Sequence, residues 1–157
     1  MKTASTKKAT FGAGCFWGVE ASFRNVTGVR ETAAGFMGGT TKNPSYAEVC
    51  TGTTGHSEVV QMDYDSRQVS YEALVEVFWR IHDPTSLNRQ GWDVGTQYRS
   101  VIFYHDAQQK AVALASKDRL QKALKKSVMT EIVPASAFYR AEEYHQRYLE
   151  KKGKAVC

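Results

Sequence analysis

A two-residue alternation of apolar and polar positions predicts the β-strands of this chain. In the stretch 57–65, Val60, Met62 and Tyr64 alternate with polar residues, so one face of that strand should be buried. Similar patterns bounded by turn residues predict five strands in all, at 7–14, 29–39, 57–65, 97–106 and 129–134.

Apolar residues at helical spacing predict the helices, which fall at 16–25, 71–82 and 107–126. Ser70 is a typical N-cap for the second helix, and the Asp-Pro pair at 83–84 ends it. Asp106 and Gln109 have the spacing of a capping box at the start of the third helix. The stretch 141–152 is amphipathic and predicts a last helical segment, whose Tyr144, His145 and Gln146 could reach the rim of a site.

The order β-α-β-β-α-β-α-β favours an α/β two-layer plait, a mixed sheet with helices packed on one face, in a ferredoxin-like arrangement. A length of 157 residues suits one domain, so we expect 1–157 to form a single unit. The connections 38–56 and 83–96 are longer than a compact domain needs, and long ordered loops are often functional.

The composition is that of a soluble globular protein, with 42% hydrophobic and 24% charged residues. No apolar stretch follows Met1, so we expect neither a signal peptide nor a membrane span, and a cytoplasmic location. The net charge of +5 is dispersed along the chain, and its densest cluster, "KDRLQKALKK", lies on a predicted solvated helix. We therefore expect no nucleic-acid partner, no membrane association and a monomer.

The three cysteines, Cys15, Cys50 and Cys157, are an odd number without a secretory signal, which indicates reduced thiols. Cys15 stands in "GAGCFWG", in the first turn of a predicted helix, where backbone N–H groups favour a thiolate and lower the thiol pKa. The surrounding glycines permit a tight turn and the close approach of a ligand. Spacing alone also allows a buried structural cysteine at this junction.

No metal-ligand spacing such as CxxC or HxxxH occurs in the chain, so we expect no metal site. His56 is interpreted as a hydrogen-bonding residue of its loop, and His82 as part of the end of its helix.

Three motifs in order, "GCFWG", "YAEVCTGTTGHSEVV" and "GTQYRSVIFYHD", closely resemble the A-type peptide methionine sulfoxide reductases. The resemblance runs from Phe11 to about Leu149. It implies reduction of the S epimer of methionine sulfoxide, free or in proteins, without a cofactor. Thioredoxin is the expected reductant.

The resemblance also implies site residues. Cys15 would be the nucleophile and Glu58 the acid, Tyr46 and Tyr98 would hydrogen-bond the sulfoxide oxygen, and Asp93 would orient water or substrate.

Phe16 and Trp17 would form an apolar wall for the substrate methyl group, because aromatic rings pack well against methyl groups and sulfur. Cys157 would be the recycling cysteine on a flexible tail at about 150–157, although this tail reads "AVC" where family tails commonly read Gly-Tyr-Cys-His and continue. Cys50 matches a position that is not required for catalysis, and we interpret it as a small buried side chain.

The chemistry requires a protonated carboxyl group, because the sulfoxide oxygen leaves poorly unless it gains a proton. At an ordinary pKa near 4.3, Glu58 would be neutral only about 0.2% of the time at pH 7, so burial must raise the pKa by two to three pH units, roughly. The sequence leaves two other functions open. They are a thiol peroxidase or peroxide-sensing switch that uses the same cysteine, and a non-catalytic basic binding module with inert thiols.

Overall fold

The computed structural model describes residues 6–152. Eight strands and five α-helices follow in this order: β1 (Thr6–Ala13), α1 (Phe16–Arg24), β2 (Val29–Met37), α2 (Tyr46–Cys50), β3 (Ser57–Asp65), α3 (Tyr71–Arg80), β4 (Arg89–Gln90), β5 (Asp93–Val94), β6 (Ser100–Tyr104), α4 (Ala107–Ala123), β7 (Glu131–Pro134), β8 (Tyr139–Arg140) and α5 (Tyr148–Lys151).

Six strands form one sheet in the order β7-β6-β1-β3-β2-β8, and β4 pairs with β5 in a separate small hairpin. β1 is antiparallel to both β3 and β6, whereas β6 and β7 are parallel, so the sheet is mixed as expected. β1 and β3 lie at the centre. The loop after β1 and the start of β3 meet at the same end of the sheet, because the two strands run in opposite directions.

The main core lies between the sheet and helices α1, α3 and α4. Phe11 of β1 is completely buried, and its ring stacks on Phe23 of α1 at 5.2 Å and on Phe78 of α3 at 5.3 Å. The opposite face of the sheet carries a smaller apolar cluster, which the segment around Phe138 covers without a helix. The larger of the two clusters, which contains most of the buried aromatic rings, therefore lies on the face that α1, α3 and α4 cover.

The long connections carry structure of their own that the periodicity did not predict. α2 lies in the first connection, where Ser45 and Glu48 form a capping box, with Ser45 Oγ accepting from the Glu48 N–H at 3.1 Å. The second connection contains the β4–β5 hairpin and a 3-10 turn at Thr96–Tyr98. The strand predicted at 97–106 is consequently shorter, since its first residues turn rather than extend.

Helix α4 begins as predicted, with Asp106 Oδ1 accepting from the Gln109 N–H at 2.8 Å. The side chain of Gln109 accepts from the His105 N–H at 2.8 Å instead of closing the capping box on Asp106. The helix ends at Ala123, three residues earlier than predicted. There Gln121 accepts from the Val128 N–H at 2.7 Å, so the chain folds back on the helix.

The C-terminal segment is not one helix as predicted, because buried polar contacts break it at 146–147. It forms a 3-10 turn at Glu143–His145 and the short α5, separated by Arg147, whose φ is +51°. The Arg147 N–H donates to Glu20 Oε1 at 2.7 Å, and the amide of Gln146 hydrogen-bonds both the N–H and the C=O of Ala34 at 2.8 Å.

Within residues 6–152, no helix is long and apolar enough to cross a membrane.

Candidate active site

Cys15 lies at the turn between β1 and α1, on the N-cap position of that helix. Gly14 has a φ of +101°, a conformation that other residues rarely adopt, and this allows the chain to leave the strand and enter the helix within two residues. The Cys15 side chain is partly exposed and forms no disulfide with the other described cysteine. The thiol therefore lies at a helix start that solvent can reach, as the sequence predicts.

Glu58 is the second residue of β3, and its side chain is 1% exposed. Its Oε1 accepts a hydrogen bond from the backbone N–H of Phe16 at 3.1 Å, which places the carboxyl group beside the residue that follows Cys15. Oε2 is buried and has no hydrogen-bond partner among the described residues. Burial, which outweighs the Phe16 hydrogen bond, raises the pKa of Glu58 from 4.5 to about 8. The carboxyl group is thus neutral and able to donate a proton at pH 7.

The two tyrosines predicted for the site approach Glu58 from different loops. Tyr46 is the first residue of α2, and Tyr98 is the last residue of the 3-10 turn before β6. Burial and then the charge of Glu58 raise the pKa of Tyr98 to about 12. Burial, a hydrogen bond with Cys50 and the charge of Glu58 also raise the pKa of Tyr46 well above its usual value. Both hydroxyl groups are consequently protonated donors at neutral pH.

Asp93 lies in β5 and is exposed to solvent. It lines one wall of a cleft of about 180 Å³ that also contains Cys15, Ser22 and Ile81. Its charge helps to raise the pKa of Glu58, so the two carboxyl groups lie within electrostatic range. The structure therefore brings Asp93 to the site predicted for it, on the solvent side of Cys15.

Aromatic rings form a cluster beside the start of α1. The ring of Trp17 is half-buried and stacks on Tyr148 at 3.9 Å. The ring of Phe16 is completely buried and packs against Phe36 and Tyr46, with ring centroids 5.6 and 6.1 Å apart. Trp17 is thus the more accessible residue of the predicted wall, whereas the ring of Phe16 belongs to the core. The backbone N–H of Phe16 hydrogen-bonds Glu58.

The prediction that Cys50 is a small buried side chain is wrong, because Cys50 is exposed at the end of α2. Its thiol hydrogen-bonds the hydroxyl group of Tyr46, so it contacts a predicted site residue. Sequence patterns missed this contact because it depends on α2, a five-residue helix without a periodic signal.

The histidines take the roles predicted for them. His56 accepts from the Gly39 N–H at 3.0 Å and contacts the Thr41 carbonyl at 2.7 Å, so it holds the first long loop together. His82 lies 2.7 Å from the Phe78 carbonyl at the end of α3. Across residues 6–152, no three His, Cys, Asp or Glu side chains come together as metal ligands would.

Cys157, the predicted recycling cysteine, lies outside the described residues. The structure thus brings seven predicted site residues to one end of the sheet: Cys15, Phe16, Trp17, Tyr46, Glu58, Asp93 and Tyr98.

An α+β fold with a mixed sheet, a cysteine at a helix start and a buried neutral carboxyl group beside it defines a candidate thiol-dependent enzyme. A model of the family "Peptide methionine sulfoxide reductase" matches residues 7–157. "Peptide methionine sulfoxide reductase MsrA" of Methanoculleus marisnigri is 59% identical to this chain over 155 residues, which cover 98% of this chain and 94% of that protein.

The crystal structure of reduced Mxr1 from Saccharomyces cerevisiae is similar, with a TM-score of 0.92 and 36% identity, over 99% of this chain and 91% of that one. Mxr1 has also been solved in complex with Trx2, in a chain that aligns with a TM-score of 0.67 and 24% identity over 94% of this chain and 87% of that one. The chain belongs to the peptide methionine sulfoxide reductase family.

Proposed function

We propose that this protein reduces methionine-S-sulfoxide, free or in proteins, to methionine by nucleophilic attack of Cys15, and so repairs oxidised proteins. The observation that supports this proposal most directly is the buried carboxyl group of Glu58, whose Oε1 accepts from the Phe16 N–H at 3.1 Å. Sulfoxide reduction needs a thiolate and a proton donor close together in space. Membership of the family supports the same reaction.

In the first step, the Cys15 thiolate attacks the substrate sulfur while Glu58 donates a proton to the sulfoxide oxygen. The new bond between Cys15 Sγ and the substrate sulfur and the sulfur–oxygen bond of the substrate then both break as the protonated oxygen transfers to Cys15 Sγ, and methionine leaves. Thiolate, oxygen atom and proton together make the sulfenic acid of Cys15, so the two-electron oxidation of the cysteine balances the two-electron reduction of the sulfoxide. Glu58 must then regain a proton from solvent.

The other site residues hold the substrate for this step. The neutral hydroxyl groups of Tyr46 and Tyr98 donate hydrogen bonds to the sulfoxide oxygen, on which negative charge develops. Asp93 orients water or substrate at the open side of Cys15. Trp17, with Phe16 behind it, supplies an apolar surface for the methyl group.

In the second step, the thiol of Cys157 attacks the sulfenic acid, releases water and leaves a disulfide with Cys15. A thioredoxin reduces that disulfide by exchange of its own two thiols. The reductant is proposed from the resemblance of the chain to its family, and the fold neighbour Mxr1 of Saccharomyces cerevisiae, which has been solved in complex with Trx2, is consistent with it.

We further propose the ferredoxin-like description for the central sheet, because β6-β1-β3-β2 are adjacent and α1 and α3 connect strands within that set. We propose that residues 1–157 act as one monomeric domain in the cytoplasm, with a tail at about 150–157. No metal ion, nucleic acid or membrane enters the mechanism.

A count of free thiols tests the function. The fully reduced protein is mixed with methionine-S-sulfoxide in the absence of a reductant, and thiols and methionine are counted together. We expect two thiols lost and one methionine formed per chain. The variant Cys157→Ser should form one methionine and lose one thiol. Loss of thiols with hydrogen peroxide but not with the sulfoxide would indicate a peroxidase, and no loss with either would indicate a binding module.

A further inference from the structure

The C-terminal segment places one histidine against the candidate site. His145 is completely buried, lies in the 3-10 turn before α5, and contacts the rings of three site residues. The ring centroid of His145 lies 4.3 Å from that of Tyr46, 5.3 Å from that of Phe16 and 5.7 Å from that of Trp17. The sequence pattern predicts this residue only at the rim of the site.

A hydrogen bond joins this histidine to the apolar wall. The indole N–H of Trp17 donates to Nδ1 of His145 at 2.9 Å. An indole nitrogen can only donate, so Nδ1 must accept, and the neutral imidazole therefore carries its proton on Nε2. An imidazolium ion has no acceptor nitrogen, so the contact exists only with a neutral ring.

The other ring nitrogen of His145 makes no hydrogen bond to the described residues. This nitrogen, Nε2, is buried. A histidine kept for stability would be expected to satisfy both nitrogens, because a buried donor without an acceptor is costly. The feature that accounts for a histidine here is thus its acceptor toward Trp17.

The backbone around His145 is held rigidly. The next residue, Gln146, donates to the carbonyl groups of Ala34 and Ala141 at 2.8 and 3.0 Å and accepts from the Ala34 N–H at 2.8 Å. The residue after Gln146 is Arg147, whose N–H donates to the buried Glu20. These contacts tie the turn to β2 and α1, so His145 reaches Trp17 from a fixed support.

The indole is therefore held on two sides, by the stacked ring of Tyr148 on one face and by His145 at its nitrogen. We propose that His145 is a positioning residue that fixes the Trp17 indole as a wall for the substrate methyl group. This inference rests on the proposed function, since it assigns His145 a role in substrate recognition. His145 only packs on the ring of Tyr46, whereas it hydrogen-bonds the indole of Trp17, so loss of that hydrogen bond should affect KM more than kcat.

The experiment compares two substitutions of His145. In His145→Asn, the side-chain oxygen lies near the position of Nδ1 and can accept from Trp17, whereas His145→Leu fills the space without an acceptor. His105→Leu is the control, because His105 follows the C-terminal end of β6, away from the site at the N-terminal end, and contacts Thr10. Methionine-S-sulfoxide turnover with thioredoxin gives KM and kcat for each protein, and urea unfolding checks that each one folds.

A second readout does not depend on activity. The ¹H–¹⁵N spectrum shows the indole resonance of Trp17, which Trp17→Phe assigns by its disappearance. We expect this resonance to move in His145→Leu and to stay near its original position in His145→Asn and His105→Leu. A resonance that does not move in His145→Leu overturns the proposal, whatever the activity of the protein.

The kinetic result we expect is a KM about tenfold higher for His145→Leu, with kcat changed less than about threefold, and a KM near that of the parent for His145→Asn. In the Trp17→Phe background, His145→Leu should change KM less than twofold, roughly, because the donor is already gone. An unchanged KM in His145→Leu, or a folded His145→Asn that is equally defective, overturns the inference. Absence of turnover in the parent would instead overturn the proposed function and leave the indole resonance to decide the contact.

Discussion

Replacement of Glu58 by Gln separates the catalytic role of this residue from its cost to the fold. The amide keeps the size of the side chain and can still accept from the Phe16 N–H, which lies 3.1 Å from Oε1. It cannot donate the proton that the sulfoxide oxygen needs. Because a positioned general acid contributes about 10²–10⁴ in rate, we expect single-turnover formation of methionine to fall by that factor.

The stability of the parent should depend on the ionisation of Glu58, whereas the stability of Glu58→Gln should not. The pKa of Glu58 rises from 4.5 to about 8 on folding, so the neutral form is favoured in the folded state. The unfolded chain ionises above pH 4.5 while the folded protein does not, and the stability that the neutral form provides is lost between pH 4.5 and about 8. At about 1.4 kcal/mol per pH unit, this loss is about 5 kcal/mol for the parent.

Glu58→Gln does not ionise and should escape that loss. Measured by urea unfolding at pH 4 and pH 9, the free energy of unfolding of Glu58→Gln relative to the parent should rise by up to about 5 kcal/mol at the higher pH. The parent should also lose single-turnover rate above about pH 8, as Glu58 ionises, and the variant should show no such decline. A parallel pH dependence of unfolding in the two proteins would refute the raised pKa, and an undiminished rate of methionine formation would refute the role as acid.

Three further changes test other parts of the structure. Cys15→Ser should reduce methionine formation at least about a thousandfold, measured by chromatography of a single-turnover mixture, because a hydroxyl group is not ionised at neutral pH; turnover at the parental rate would remove the nucleophile from the mechanism. Tyr98→Phe should lower the single-turnover rate by about 10- to 100-fold, since one donor to the developing charge is lost, and an unchanged rate would place the hydroxyl group away from the oxygen. Phe11→Ala should lower the free energy of unfolding in urea by about 3–5 kcal/mol, because Phe11 is 0% exposed and stacks on three rings; a loss below about 1 kcal/mol would mean that the core refills the space.

The sequence by itself determined the elements with a strong period and a clear boundary. Strand β3 has the predicted bounds, and Ser70 caps α3 as expected, with its Oγ accepting from the Ala73 N–H at 3.0 Å. These features depend on neighbours in the chain, so local propensity and side-chain alternation are enough to predict them. The position of Cys15 at the start of α1 was predictable for the same reason.

Only the tertiary structure decided the environment of Glu58. A glutamate on an alternating strand ordinarily faces solvent, but β3 is central in the sheet and the start of α1 covers its first residues. The pKa of Glu58 is raised because it is buried, and burial depends on elements that are distant in the sequence. The resemblance to the family identified Glu58 as the acid. Its burial in the folded structure explains why it can act as one.

The same reason accounts for the contacts that the sequence did not show. His145, for example, meets Trp17 across 128 positions of the chain. Periodicity reports which face of an element is buried, but it does not report which residue of another element will lie against that face. The partners of buried polar groups are fixed only when the sheet, the helices and the C-terminal segment are packed together, because each hydrogen bond needs both groups in place at once.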